Sequence, residues 1–166
     1  MEKKYELTDE TIKVSGYTLH RIRALKNLEG TSIAPGTLGG WIRSESNLSQ
    51  EGNCWVHDEA KVYGKAKVYG NAWVCDYACV FGDAKVRGDA LVYGHAVISS
   101  VAEICGNAHI HENAHVYGSV KVSGNAEVGG NARVFGNTKV SGNALINGNA
   151  RVADGEIDGN EKINDT

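Results

Sequence analysis

Three of the six histidines in this 166-residue chain fall within nine residues. The stretch NAHIHENAH, Asn107 to His115, carries His109, His111 and His115, with Glu112 among them. Imidazole exchanges a proton near neutral pH and ligates metals readily. A His-x-His pair beside a carboxylate could therefore hold a metal ion, or act as a general base with its orienting partner. A second constellation is His57 with Cys75, followed by Asp58 and Asp76. A cysteine beside a histidine can become an activated thiolate. Either chemistry requires side chains that converge, so the elements carrying them have to be read first.

Bulk properties narrow the field. Net charge is −3, so no basic footprint points to nucleic acid or an anionic membrane surface. The start, MEKKYELTDE, is charged and lacks an apolar h-region, unlike a signal peptide. No run approaches the ~18 apolar residues of a membrane span. The four cysteines, at 54, 75, 79 and 105, show no CxxC spacing. A reduced, cytoplasmic protein is the expectation. Twenty-one glycines against one proline, with scarce Leu and plentiful Ala and Val, do not suit a helical bundle.

A repeat explains that composition. Val or Ile occupies every sixth position from 56 to 152, 17 of 17. A small residue follows four places later; of the 16 such positions from 60 to 150, 14 are Ala and the others are Val120 and Thr138. Between them sits a turn pair, most often Gly-Asn or Gly-Asp, as in VYGNAWV and VSGNAEV. Neither the helical period of 3.6 nor a plain strand's period of two fits. Ala-x-Val reads as a short strand with two inward residues flanking an outward one. Gly-Asn then turns the chain, because both residues tolerate positive φ. Three such sides close a triangular coil of 18 residues, and successive coils stack ~4.8 Å apart. The reading is an all-β solenoid of between five and six coils, ~25–28 Å long, over residues 51–153.

The hexapeptide pattern of aliphatic, turn and small residues resembles that of the left-handed parallel β-helix proteins, and the resemblance supplies the handedness. YELTDETIKVSGYTLHRIRAL, LGGWI and NLSQEGNCWV carry it further. These segments resemble the bacterial and phage YdcK-like family, whose members are labelled acyltransferases. The likeness runs over nearly the whole chain. It implies an acyl-CoA such as acetyl-CoA as cofactor and a His base in a groove between two chains.

Residues 1–50 do not repeat. KKYELT, TIKVSG and TLHRIRAL read as strands with a turn at Ser15-Gly16, forming a small β-rich cap over the apolar end of the solenoid. His20 in that cap reads as a satisfied polar residue. Residues 154–166 are polar and are expected to fray or partly cover the last coil.

An 18-residue coil assigns each outward residue to a face. Face one carries Trp55, Trp73, Leu91 and His109 in one column and His57, Cys75, Tyr93 and His111 in the next. Face two carries the aromatic column Tyr63, Phe81, Tyr117 and Phe135, edged by cations and His115. Face three is charged and small, as a solvated side should be. Contiguous outward aromatics mark an interface. Trp55, Trp73, Leu91, Tyr93, Tyr63, Phe81, Tyr117 and Phe135 are its candidate residues, in a homo-oligomer, favoured as a trimer, where face one of one chain meets face two of the next.

The faces also decide the chemistry. His109 and His111 point out on face one and His115 on face two, so the three diverge and no metal site is expected. His95, in a turn one coil earlier, could approach His111 without completing a ligand set. Metal enzymes of this fold place a histidine two coils before a pair; here Cys75 and Trp73 stand there. His57 and Cys75 read as accidental neighbours. Acyltransferases of this fold usually extrude a loop from a coil, and none interrupts residues 54–152. The leading expectation is an oligomeric β-helix that binds or scaffolds, a phage-derived module acting on a host protein partner through its aromatic faces, with no cofactor. The alternative is a CoA-dependent acyltransferase using His109, His111 or His115 as base.

Overall fold

The computed structural model describes residues 2–166. It is a left-handed parallel β-helix with an antiparallel cap at its N-terminal end. Each six-residue unit contributes a rung of two residues: Trp55–Val56, Lys61–Val62 and Lys67–Val68 form the three sides of one coil. Every rung pairs in parallel with the rung one coil on: Trp55 with Trp73, Lys61 with Cys79, Lys67 with Lys85. Backbone bonds run up each column. Trp73 N–H donates to Ala90 O at 3.0 Å, and Cys75 N–H to Val92 O at 2.8 Å. The inward Val, Ile and Ala side chains make one continuous buried core. No helix among the described residues is long and apolar enough to cross a membrane.

The corners explain the glycines. At Gly88 φ is +68°, a region that penalises a side chain. A Cβ there would also lie 2.9 Å from the Gly106 nitrogen of the next coil. Asparagines follow the corner glycines and stack in ladders. Asn107, Asn125, Asn143 and Asn160 link amide to carbonyl at 3.3 Å per step, and Asn113, Asn131 and Asn149 do so at 3.2 Å.

The prism is longer than the hexapeptide period alone implies, with seven rungs on face one where five to six coils were expected. Trp41 pairs in parallel with Lys61, and Leu48 with Val68, so the ladder starts before residue 51. At the other end Leu145 pairs with Lys162, and Val140 with Ile157. Residues 154–166 thus form a further coil rather than a frayed tail. The hexapeptide spelling lapses there, yet the backbone still finds its acceptors one coil away.

The cap is built from β1 (Tyr5–Val14), β2 (Tyr17–Ala24) and β3 (Leu38–Ile42). β1 and β2 form a hairpin about Ser15-Gly16, β2 pairs antiparallel with β3, and β3 joins the solenoid in parallel. His20 Nδ1 sits 3.1 Å from the Thr8 carbonyl, a structural role. The buried Lys4 ammonium donates to the Cys54, Gly52 and Glu51 carbonyls at 2.8, 3.2 and 3.3 Å. It thereby closes the backbone at the top of the coil, although burial lowers its pKa. Asn47 does the same on another side, donating to Ala66 O at 2.8 Å.

Cap docking corrects part of the expected interface. Trp55 is 0% exposed, with Tyr5 edge-on to its ring at 6.2 Å. Tyr63 is 7% exposed, held between Tyr17 at 5.8 Å and Phe81 at 5.1 Å. Both belong to the chain's own interior. Trp73 is half-buried, and its indole N–H donates to Asn53 O at 3.1 Å. Leu91, Tyr93, Phe81, Tyr117 and Phe135 remain half-exposed.

A cap packed this way makes Trp55 a stability residue. Trp55→Ala should cost about 3–5 kcal/mol in urea unfolding. Leu38→Ala, at an exposed cap position, should stay within about 0.5 kcal/mol. Equal losses would show that the cap does not seal the first coil.

Candidate functional site

His109 and His111 flank the core residue Ile110 on one rung of face one, and His115 lies beyond the corner made by Glu112 and Asn113. The corner needs one residue in the left-handed region, and Glu112 takes it at φ +55°. That conformation is costly for glutamate. It is offset where the Glu112 carboxylate accepts the Gly130 N–H of the next coil.

The His109 and His111 rings both meet Tyr93, His115 stands past the corner, and of the three His111 has the carboxylate partner. Its ring stacks on Tyr93 at 5.2 Å with 13° between the planes. Its Nε2 lies 2.6 Å from Glu127 Oε1, and its Nδ1 faces Glu112 Oε2 at 3.7 Å. The side chain is 13% exposed. Below the ring stands Gly129, where a Cβ would come within 2.4 Å of His111 Cε1. Glycine is needed there for the space, because its φ is ordinary. A carboxylate can only accept, so Nε2–H donates to Glu127, while a second carboxylate, Glu112, stands 3.7 Å from Nδ1. Glu127 thus orients the imidazole as the carboxylate partner of a general base does.

The other candidates are placed differently. His109 meets Tyr93 edge-on at 6.3 Å. On face two, burial and then the neighbouring Arg133 lower the His115 pKa. His95 does not turn toward His111 but stacks on Tyr77 at 5.1 Å. Among the described residues, no three His, Cys, Asp or Glu side chains gather in a way that could hold a metal ion. Cys75 is no thiolate: burial, with Asp76 and Asp58 nearby, pushes its thiol up to about 12. His57 packs on Trp73 at 4.5 Å, and burial lowers its pKa. The two groups favour their neutral forms, which is no basis for an ion-paired nucleophile.

Sequence reasoning did not find Glu127 and Gly129 as His111's partners. Both stand in the face-one columns one coil after the histidines, so register places them nearby. The doubled glycine of EVGGN, where other coils carry a side chain before the corner, was the available signal.

Fold and site together define a hexapeptide-repeat β-helix with a carboxylate-held histidine on one edge. The chain resembles the YdcK-like proteins, as its sequence suggested. It is 35% identical over 75 residues to the uncharacterized acetyltransferase YdcK of Escherichia coli (strain K12). That match covers 40% of this chain and 22% of the relative, so the chain spans about a fifth of the relative's length. No family model matches.

Burial of neutral imidazole sets a pH dependence. The folded chain holds the His57 pKa below the ordinary value of 6.5, which the unfolded chain keeps. Between the two values unfolding takes up a proton, so this contribution is intact above pH 6.5 and lost as pH falls below it. Tm should drop on acidification from pH 7.5 to 5.5, and less steeply in His57→Gln. Parallel slopes would remove His57 from the account.

Proposed function

We propose that the chain is an acyltransferase working from a CoA thioester, with His111 as general base and Glu127 as its positioning partner. The carrying observation is the 2.6 Å contact between His111 Nε2 and Glu127 Oε1 on a ring clamped by Tyr93 above and spared by Gly129 below. The acetyltransferase description of the relative supports the same reading. In this scheme the acceptor's N–H or O–H approaches His111 Nδ1. Its heteroatom attacks the thioester carbonyl carbon and its proton passes to Nδ1. The C–S bond then breaks, and the departing thiolate takes that proton back. Glu127 keeps Nε2–H in place and favours the imidazolium that forms transiently.

In this scheme a second chain completes the groove over the His111 rung. Half-exposed Leu91 and Leu145 on the same face offer it apolar contact. A binding or scaffold module is the second reading. It is favoured by the coils from 54 to 152, which run without an extruded loop. Neither a phage origin nor a host-protein partner has an observation behind it.

Two measurements test this. Acetyl-CoA should raise Tm and be consumed slowly by the wild-type chain. His111→Ala should abolish the consumption, and Glu127→Gln should lower it by about 10–100-fold. Undiminished turnover in His111→Ala would overturn the assignment. Separately, Leu91→Glu should lower the mass seen by light scattering to that of one chain. An unchanged mass would remove face one as the contact.

A further inference from the structure

The aromatic column of face two has a missing rung. Tyr63 and Phe81 stack at 5.1 Å and 6°, and Tyr117 and Phe135 at 5.3 Å and 5°. Ser99 stands between the pairs, in register with Phe81 above and Tyr117 below. Two coil rises separate those rings, ~9.6 Å. A planar ring inserted over Ser99 would sit ~4.8 Å from each, close to the spacing of the existing stacks.

The corner beside the gap departs from its own column in three consecutive residues. Corresponding corners read Tyr63-Gly64-Lys65, Phe81-Gly82-Asp83, Tyr117-Gly118-Ser119 and Phe135-Gly136-Asn137, whereas this one reads Ser99-Ser100-Val101. Ser100 takes φ +59° where those four corners have glycine. Val101 is 57% exposed at a position otherwise polar. With half-buried Val97 in the adjoining column, the missing rung leaves a space between two aromatic rings, with the Ser99 hydroxyl as its floor.

Above the gap, Phe81 and Gly82 also line a cavity of about 400 Å³ between the cap hairpin and the prism. Arg43 and Lys65 line it too, and neither enters an ion pair among the described residues. The Arg43 guanidinium lies over the Tyr17 ring at 4.5 Å. Asp83 is the one carboxylate on this rim, against two cations.

We propose that this gap is a stacking site for a purine nucleotide. The base lies between Phe81 and Tyr117 over Ser99, and the phosphate reaches upward past Asp83 to Lys65, two coil rises away (~9.6 Å), while Arg43, a further coil away, stays over Tyr17. Stacking on two aromatic faces holds the base without selecting it by hydrogen bonds. The Lys65 ammonium selects the charged tail. The site lies on face two, apart from His111, and does not depend on the acyl-transfer reading. Its ligand chemistry is shared by a free nucleotide and by the nucleotide end of coenzyme A.

Calorimetric titration of the full chain with adenosine 5′-monophosphate, adenosine, inorganic phosphate and coenzyme A tests it. The monophosphate should bind and phosphate alone should not. Ser99→Tyr, which completes the column, should weaken monophosphate binding by about tenfold or more while keeping or raising Tm. Phe81→Leu should weaken it through loss of one wall. Lys65→Glu should weaken the monophosphate and leave adenosine unchanged. Coenzyme A binding tighter than the monophosphate assigns the site to a thioester donor; equal binding assigns it to a free nucleotide. Monophosphate affinity unchanged by both Ser99→Tyr and Phe81→Leu, or matched by inorganic phosphate, would overturn the proposal.

Discussion

Everything in this molecule depends on one register: the backbone of each coil hydrogen-bonded to the coil after it. Leu91 N–H reaches Ala108 O at 3.0 Å and His109 N–H reaches Ala126 O at 3.0 Å, and the same step repeats along all three faces. Because the step is nearly constant, every side chain sits over its counterpart one turn on. The cross-section can then hold only small or β-branched residues, which is why Ala and Val line it. The register also brings each corner close to the next, which leaves little room for a Cβ where the chain bends.

A constant step turns chemistry into columns. Asparagines find asparagines, rings find rings, and a histidine finds whatever stands one coil above and below it. His111 gains Tyr93 on one side and the clearance of Gly129 on the other, while Glu127 reaches it from the neighbouring column. Glu112 and Ser100, like Asp58, Asp76 and Asp154, hold a corner conformation that most coils leave to glycine.

Cap side chains close the first coil of the ladder. At the N-terminal end the apolar cross-section is sealed by Tyr5, Leu48 and Trp55, and the carbonyls find the Lys4 ammonium and the Asn47 amide. The coil over residues 154–166 carries Asp154, Glu156, Asp158, Glu161 and Asp165.

The period of six by itself determined the inward residues, the corners, the three faces and the placing of His115 one corner beyond His109 and His111. Side-chain direction in a regular strand follows from position alone. That reasoning stopped at the first and last coils, where the spelling lapses while the backbone ladder continues. Tertiary structure alone decided that Trp55 and Tyr63 are covered, since their covering comes from β1 and β2, far away in the chain. It alone decided that Glu127 turns to His111 and that half-buried Cys75 stays a thiol. A column says which residues are neighbours; packing and burial say which of them touch and in what charge state.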